Sequence, residues 1–181
     1  MVKAYVGIGS NLGDRLRTCA DALAALGRLP GTHVLAASPF YETEPEDGAG
    51  PQWFVNAVAV LGTALAPGPL LAALQKMECL AGRAEERARG KNRTLDLDLL
   101  LYGDQVLQER NLTLPHPRLH QRRFVLVPLC AVAPDVMHPT LGRPMRELLA
   151  ALGPGPAVRL VEPGSARAGA AGGAGGAGVA A

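Results

Sequence analysis

The chain has 181 residues, of which 48% are hydrophobic and 19% charged, so it contains enough apolar material for the core of one domain. Its 18 basic and 16 acidic side chains give a net charge of +2, which excludes the strong basic excess typical of nucleic-acid-binding proteins. No apolar run approaches the roughly 20 residues that a membrane-spanning helix needs. The first residues lack the layout of a signal peptide, and the separated cysteines form no CxxC pair. We therefore expect a cytoplasmic protein with reduced thiols that binds neither membrane nor nucleic acid.

The predicted elements follow the order βαββαβ and end in two further helices. The first strand is predicted over 3–8, and Asp14 is a candidate N-cap for a helix that ends near Leu26, before Gly27. The other predicted strands cover 33–43, 53–65 and 94–102, and the other helices cover 67–80, 124–133 and 145–152. This order is typical of a split βαβ fold of the α+β class, with a mostly antiparallel sheet and helices on both faces.

The C-terminal segment 162–181 is rich in Gly and Ala. Side chains this small cannot bury enough apolar surface to offset the entropy that is lost on ordering. We therefore predict one folded domain over 1–161 and a flexible tail over 162–181.

The most informative segment is the predicted strand at 94–102, which carries two aspartates among leucines. Alternation along a strand predicts that Leu95, Leu97, Leu99 and Leu101 share one face, while Asp96, Asp98, Leu100 and Tyr102 share the other. Two like charges on one strand face repel each other, and bound divalent cations would remove that cost. Oxygen ligands without His or Cys suit Mg²⁺. The alternative is an exposed strand face on which both acids are solvated.

Two basic segments lie on either side of this acidic pair in the sequence. They contribute Arg83, Arg87, Arg89, Lys91 and Arg93 before the pair, and His116, Arg118, His120, Arg122 and Arg123 after it. Guanidinium groups bind phosphate oxygens with paired hydrogen bonds, so basic segments around an acidic pair indicate a polyphosphate site. For any single arginine, a place in a solvated loop remains the alternative.

The glycine-rich segment 7–13 has the pattern GxGxxxG directly after the first predicted strand. This spacing differs from the GxGxxG fingerprint of dinucleotide-binding folds, and the chain contains no GxxxxGK[ST] P-loop. We interpret the segment as a tight turn between the first strand and the first helix.

Six motifs together resemble those of one protein family over residues 4–152. They are GIGSNLGDR (7–15), FYETEP (40–45), FVNA (54–57), RTLDLDLLLYGD (93–104), LPHPRLHQRRFVLVPL (114–129) and APD (133–135). On these motifs the chain resembles the 6-hydroxymethyl-7,8-dihydropterin pyrophosphokinases of folate biosynthesis. The resemblance implies a ferredoxin-like fold and a cytoplasmic, monomeric enzyme. It also implies that diphosphate passes from ATP to the pterin hydroxymethyl group, with release of AMP.

The resemblance also assigns individual residues to a site. It implies that Asp96 and Asp98 bind two Mg²⁺ ions, and that Arg83 and Arg93 act with them in catalysis. The positions that match ATP contacts in the family are Gln75, Glu78, Leu99, Thr113, His116 and Arg122. The positions that match pterin contacts are Thr43, Pro45, Phe54, Asn56 and Phe124.

The chain departs from many family members in the basic segment before the acidic pair. Gly90 stands where many members have a tryptophan that caps the pterin, and Glu85 stands where some have a second arginine. Trp53, next to Phe54, is a candidate to supply part of the missing ring, which only the geometry can decide.

Two other functions remain open on the sequence. A different Asp-x-Asp phosphotransferase would release pyrophosphate or ADP from ATP instead of AMP. A non-catalytic module that kept the fold would bind the pterin or a nucleotide without forming AMP.

Overall fold

A computed structural model describes residues 1–46, 51–82 and 94–161, and the predicted tail at 162–181 lies outside these described residues. The elements in chain order are β1 (Val2–Ser10), α1 (Arg15–Leu26), β2 (Thr32–Ala37), β3 (Tyr41–Thr43), β4 (Phe54–Thr63), α2 (Pro67–Leu80), β5 (Asp96–Tyr102), β6 (Leu107–Gln108), β7 (Thr113–Leu114), a 3₁₀ turn (Leu119–Gln121), α3 (Arg123–Val132), α4 (Met145–Ala151) and β8 (Val158–Leu160). Within the described ranges, every helix is too short or too polar to cross a bilayer. The cysteines are present as free thiols.

The strand order of the main sheet places β1 between β5 and β4. On the far side of β4 lie β2 and β3, and β8 pairs with β3. The described pairings are antiparallel throughout. Helix α1 therefore joins β1 to β2 across β4, and α2 joins β4 to β5 across β1. These are two split βαβ units, so the predicted α+β fold with an antiparallel sheet is confirmed.

Helices cover both faces of the sheet. On the face that carries α1 and α2, Leu26 and Leu74 are buried together with Leu97 of β5. On the face that carries α3 and α4, Leu126 and Met145 are buried in a second cluster. We call these the α1/α2 face and the α3/α4 face. Because each face is covered, the central strands β1, β4 and β5 are largely buried and mostly apolar on both sides.

Local signals in the sequence set the ends of the helices. The Asp14 side chain accepts a hydrogen bond from the Arg17 backbone N–H at 3.1 Å, as an N-cap residue does. Gly13, just before it, has a φ of +61°, a conformation that favours glycine. Pro67 is the first residue of α2, where a missing N–H costs nothing.

The predicted strand at 33–43 is divided into β2 and β3. Between them, the Ser38 N–H donates to the Val58 carbonyl at 2.9 Å, and the Ser38 hydroxyl accepts from the Val58 N–H at 2.9 Å. Pro39 follows and has no N–H to donate, so the regular ladder stops there. Strands β6, β7 and β8 were not predicted, because two or three residues are too few to show an alternating pattern.

Strand β5 departs from strict alternation near its end. Its register against β1 shifts between Leu99 and Leu101, so Leu100 is the extra residue of a β-bulge. The bulge turns Leu101 to the α3/α4 face and Tyr102 to the α1/α2 face. The predicted faces of Leu101 and Tyr102 were therefore wrong, whereas the residues before the bulge follow the prediction.

Truncation tests the predicted boundary of the domain. Ala157, just before β8, makes two hydrogen bonds with Glu44. Its N–H donates to Glu44 Oε2 at 3.1 Å, and its carbonyl oxygen accepts from the Glu44 N–H at 2.9 Å. A chain that ends at Val161 keeps β8, and we expect its free energy of unfolding to match that of the full chain within about 0.5 kcal/mol. A chain that ends at Gly155 loses β8 and should be less stable by about 1–3 kcal/mol. Urea unfolding measures both, and equal stability of the two shortened chains would contradict the boundary.

Candidate functional site

The two aspartates of β5 line a cleft on the α3/α4 face. Because β5, β1 and β4 are adjacent, three strands contribute to it, and the first turn of α3 closes one side. The residues that line it include Gly7, Gly9, Asn56, Asp96, Asp98 and Phe124.

Two glycines of β1 form the floor of the cleft. Asp98 lies opposite Gly7 in the β5–β1 pairing, and Asp96 lies opposite Gly9, which in turn lies opposite Asn56 of β4. Glycine leaves the space between the acids and the amide open. A Cβ atom on Gly9 would come within 2.8 Å of Asn56 Oδ1. The interpretation of segment 7–13 as a turn was therefore incomplete, since these two glycines lie inside a strand.

The acidic pair is half-buried, and both carboxylates act on the basic groups around them. Within the described ranges, three or more metal-ligating side chains do not come together anywhere. Two carboxylates supply only part of the coordination sphere of a hard cation, and other oxygen atoms would complete it. Mg²⁺ is commonly held in this way, by one or two carboxylates together with substrate phosphates and water. The donor set fits that ion.

His116 lies beside the acidic pair because its backbone is attached to β5. Its N–H donates to the Leu100 carbonyl at 2.9 Å. Its ring Nδ1 accepts from the Arg118 backbone N–H at 3.2 Å, so the neutral ring carries its proton on Nε2. Burial lowers the pKa of His116, while the negative charge of Asp98 opposes that shift. His116 is thus a neutral hydrogen-bond donor near neutral pH.

Arg122, at the N-terminal end of α3, carries an unsatisfied donor. Among the described residues, no acceptor lies within hydrogen-bond distance of its buried Nε. Its guanidinium carbon lies 5.3 Å from the centre of the Phe124 ring. Burial and then the charge of Arg118 lower the pKa of Arg122, and Asp98 acts against them. A buried donor without a partner is costly, and an anionic oxygen would relieve the cost.

The residues that the resemblance assigns to the pterin lie on the neighbouring strands. The Asn56 Nδ2 donates to the Thr43 hydroxyl at 2.6 Å, and both side chains are buried, with exposures of 7% and 1%. Thr43 lies opposite Phe54 in the β3–β4 pairing. Pro45, half-buried, follows the end of β3. The buried amide of this apolar strand therefore has a hydrogen-bond partner, and its Oδ1 remains directed over the glycine floor.

The residues assigned to ATP surround the strand β5 instead of lining the cleft together. Glu78 of α2 is buried on the α1/α2 face, and its carboxylate accepts from the Leu97 N–H at 2.9 Å. The Leu99 side chain is buried in the same cluster, which leaves its backbone for contact with a ligand. Gln75 is half-buried on α2, and Thr113 is exposed on β7. Of this set, His116 and Arg122 carry the side chains that interact electrostatically with both carboxylates of the acidic pair.

The predicted catalytic arginines Arg83 and Arg93 lie outside the described residues, as do Glu85 and Gly90. Their assignment stays a prediction.

Trp53 does not supply the missing ring on the pterin side. Its ring lies 4.9 Å from the Arg159 guanidinium of β8. Arg159 lies opposite Glu42, whose carboxylate is paired with Arg15 of α1. Trp53 therefore packs on the α1/α2 side of the sheet, away from the cleft.

Comparison with known proteins agrees with this geometry. A family model described as 7,8-dihydro-6-hydroxymethylpterin-pyrophosphokinase (HPPK) matches residues 5–134. The chain belongs to this family. It is 46% identical over 149 residues to the 2-amino-4-hydroxy-6-hydroxymethyldihydropteridine pyrophosphokinase of Pseudomonas aeruginosa, a match that covers 82% of this chain and 91% of that protein. The protein of the same name from Haemophilus influenzae is 42% identical over 139 residues, which are 77% of this chain and 86% of that protein.

Solved structures of HPPK-DHPS proteins share the fold. A wild-type Plasmodium falciparum HPPK-DHPS with pteroate has a TM-score of 0.67 at 15% identity, over 83% of this chain and 44% of that one. An HPPK-DHPS in complex with substrates has a TM-score of 0.66 at 13% identity, over 83% and 43%. The chain spans less than half the length of these solved chains. At such low identity, the likeness concerns the fold alone.

Substitution of the floor glycines tests the close approach of Asn56. Gly9→Ala places a methyl group against Asn56 Oδ1, so we expect it to disturb the Asn56–Thr43 hydrogen bond and to lower the free energy of unfolding by about 1–3 kcal/mol. Gly7→Ala is the control, because its Cβ would meet the Leu100 side chain at an ordinary 3.6 Å. Urea unfolding compares the variants. An equal loss in both would show that Gly9 has no special role.

The titration of His116 tests the electrostatics of the cleft. Without nucleotide or divalent cations, we expect an NMR titration of its ring to give a pKa below 6.5, lowered further by Asp98→Asn because that carboxylate raises it. The unfolded chain then binds this proton first as the pH falls below 6.5, so His116 makes folding less favourable over that range. A pKa of His116 above 6.5, or a higher pKa of His116 in Asp98→Asn than in the unsubstituted chain, would contradict this expectation.

Proposed function

We propose that the protein transfers diphosphate from ATP to the hydroxymethyl group of 6-hydroxymethyl-7,8-dihydropterin, forming AMP and the pterin diphosphate in folate biosynthesis. Membership of the pyrophosphokinase family supports this activity. The observation that carries it is the cleft itself, where an acidic pair, a buried amide and an aromatic ring meet over a glycine floor.

The pterin side of the cleft suits a flat heterocycle. Phe54 and Phe124 offer aromatic surfaces for stacking. Because Asn56 Nδ2 is held by Thr43, its Oδ1 is available to accept from an N–H group on the edge of the pterin. Pro45 would border the ring at the end of β3.

The nucleotide side would extend from the acidic pair to the edge of β5. His116 would donate from Nε2 to a phosphate oxygen, and the buried Arg122 guanidinium would gain an anionic partner. The remaining assigned contacts with ATP are those of Gln75, Glu78, Leu99 and Thr113, and Arg83 and Arg93 would add positive charge.

Asp96 and Asp98 would hold two Mg²⁺ ions between the protein and the ATP phosphates. When bound, these ions neutralise phosphate charge and help to align the reacting oxygens. The carboxylates project from one strand face, which places both of them on the side of the sheet that lines the cleft.

In the reaction, the pterin hydroxyl oxygen forms a bond to the β-phosphorus, and the bond from that phosphorus to the bridging oxygen of AMP breaks. The hydroxyl proton is lost to solvent, and AMP leaves with the bond electrons. The protein contributes alignment and compensation of charge, because a loose phosphoryl transition state needs little early proton transfer. We further propose that the enzyme is a cytoplasmic monomer and that residues 1–161 form its folded domain.

The products formed from ATP test the function. We expect AMP to form only when the hydroxymethyl-dihydropterin is present. ADP or pyrophosphate would indicate a different phosphotransferase, and pterin binding without any product would indicate a non-catalytic module.

Asp98→Asn tests the role of the acidic pair in that assay. We expect turnover to fall about 100-fold or more, because charge compensation in the transition state is lost. The Kd for the pterin alone should change less than about threefold. Asp104→Asn is the matched control, since this exposed aspartate follows β5 outside the cleft. Wild-type turnover in Asp98→Asn would refute the role assigned to the pair.

A further inference from the structure

Arg15, the first residue of α1, connects the two ends of the segment between β3 and β4. Its Nη2 donates to Glu42 Oε1 at 2.7 Å, and its Nη1 donates to the Trp53 carbonyl oxygen at 2.7 Å. Glu42 belongs to β3, and Trp53 directly precedes β4. One guanidinium group therefore joins both ends of segment 44–53 from the α1/α2 face.

The residues next to these two anchors belong to the pterin side of the cleft. Thr43 follows Glu42, Phe54 follows Trp53, and Thr43 and Phe54 lie opposite each other. Side chains of adjacent residues in a strand point to opposite faces. Each anchor is therefore joined through the backbone to a pterin contact whose side chain points to the other face. A displacement of either anchor moves a residue that the proposed function assigns to the substrate.

Strand β3 is held by short pairings on both sides and by the hydrogen bonds of Glu44 with Ala157 beyond its end. It is three residues long, and it pairs with three residues of β4 and three of β8. The Thr43 hydroxyl must also stay within reach of the Asn56 amide, which it meets at 2.6 Å. A short strand that carries a precise hydrogen bond gains from a side-chain anchor on its other face.

The geometry suits an arginine and not a lysine. The planar guanidinium presents two nitrogens in a fixed fork, so it can bind two acceptors on different strands at once, whereas an ammonium group is a point charge. The Arg15 and Glu42 side chains are also partly shielded, with exposures of 29% and 40%. On the same helix, Arg17 pairs with Asp21 at 3.7 Å with exposures of 79% and 76%, an arrangement that contributes little.

We propose that Arg15 and Glu42 are positioning residues for the pterin side of the cleft, an inference that rests on the proposed function. Neither touches the substrate. Arg15 acts through Glu42 and the Trp53 carbonyl, which set the distance between β3 and the start of β4. The nucleotide side, attached to β5 and α3, does not depend on this connection.

A kinetic comparison on the full chain tests the inference. We expect Arg15→Ala to raise the KM for the pterin about tenfold, because small misplacements of binding groups are costly. The KM for ATP should change less than about twofold, since the ATP contacts assigned within the described residues lie on α2, on β5 and from β7 to the start of α3, and not on the elements that carry these anchors. Arg15→Lys should also raise the KM for the pterin, and Arg17→Ala, the control on the same helix, should leave both constants unchanged.

Two results would overturn the inference. One is a folded Arg15→Ala protein whose KM for the pterin stays within about twofold of the unsubstituted chain. The other is an equal rise in both KM values, which a merely structural role would produce. Urea unfolding shows whether Arg15→Ala is folded. If its unfolding is not cooperative, the KM values of Arg15→Lys and Glu42→Gln are compared with those of the unsubstituted chain in its place.

The test separates this inference from the proposed function. The unsubstituted chain must form AMP from ATP and the pterin, and its failure to do so would refute the function. In that case, calorimetric titration with the pterin alone tests the anchors. A tenfold weaker affinity in Arg15→Ala would support them, and an unchanged or undetectable affinity in all variants would overturn them.

Discussion

Two carboxylates that project from one strand onto a glycine floor are the feature on which the site depends. Asp96 and Asp98 are two residues apart and lie opposite Gly9 and Gly7, so no side chain of β1 separates them from the centre of the cleft. Like charges at this spacing repel, and the repulsion grows where burial excludes water. His116 and Arg122 lie within their field. These acidic and basic groups together form the charged part of the cleft, to which the proposed function assigns a polyphosphate and its cations.

The fold separates the task of anchoring strands from the task of binding ligands. On the α1/α2 face, the Glu78 carboxylate accepts a hydrogen bond from the Leu97 N–H and so fixes the position of β5. The two aspartates of β5 point to the opposite, α3/α4 face. Also on the α1/α2 face, Arg15 fixes the ends of the segment between β3 and β4. Split βαβ connections bring β5, β1 and β4 side by side, although they are distant in sequence. The α3/α4 face can then carry polar groups because the other face secures the backbone.

Sequence patterns predicted those features that depend on local chemistry. The alternation of leucine and aspartate placed the two acids on one face, and Asp14 and Pro67 gave the starts of the helices. The resemblance assigned both Asn56 and Thr43 to the pterin, whereas the hydrogen bond between them could be identified only from the pairing of β3 with β4.

Other features depend on contacts between distant segments, which a single sequence does not reveal. The bulge at Leu100 arises from the register against β1, so alternation placed the next two residues on the wrong faces. Trp53 looked like a neighbour of the pterin because it adjoins Phe54, yet it packs against Arg159 of β8. Gly7 and Gly9 of β1 were interpreted as part of a turn. Their role is to leave space for side chains of neighbouring strands, which the sequence of β1 alone does not show. A signal for them existed, since two glycines at alternate positions in an apolar strand indicate a close approach.

The most direct test of the central claim is a crystal structure with Mn²⁺, a non-hydrolysable ATP analogue and the hydroxymethyl-dihydropterin, with anomalous scattering used to locate the metal. If the two aspartates bind the metal, anomalous peaks will lie within ligand distance of their carboxylates, between them and the phosphates. Metal bound to the phosphates but remote from both carboxylates would contradict the claim.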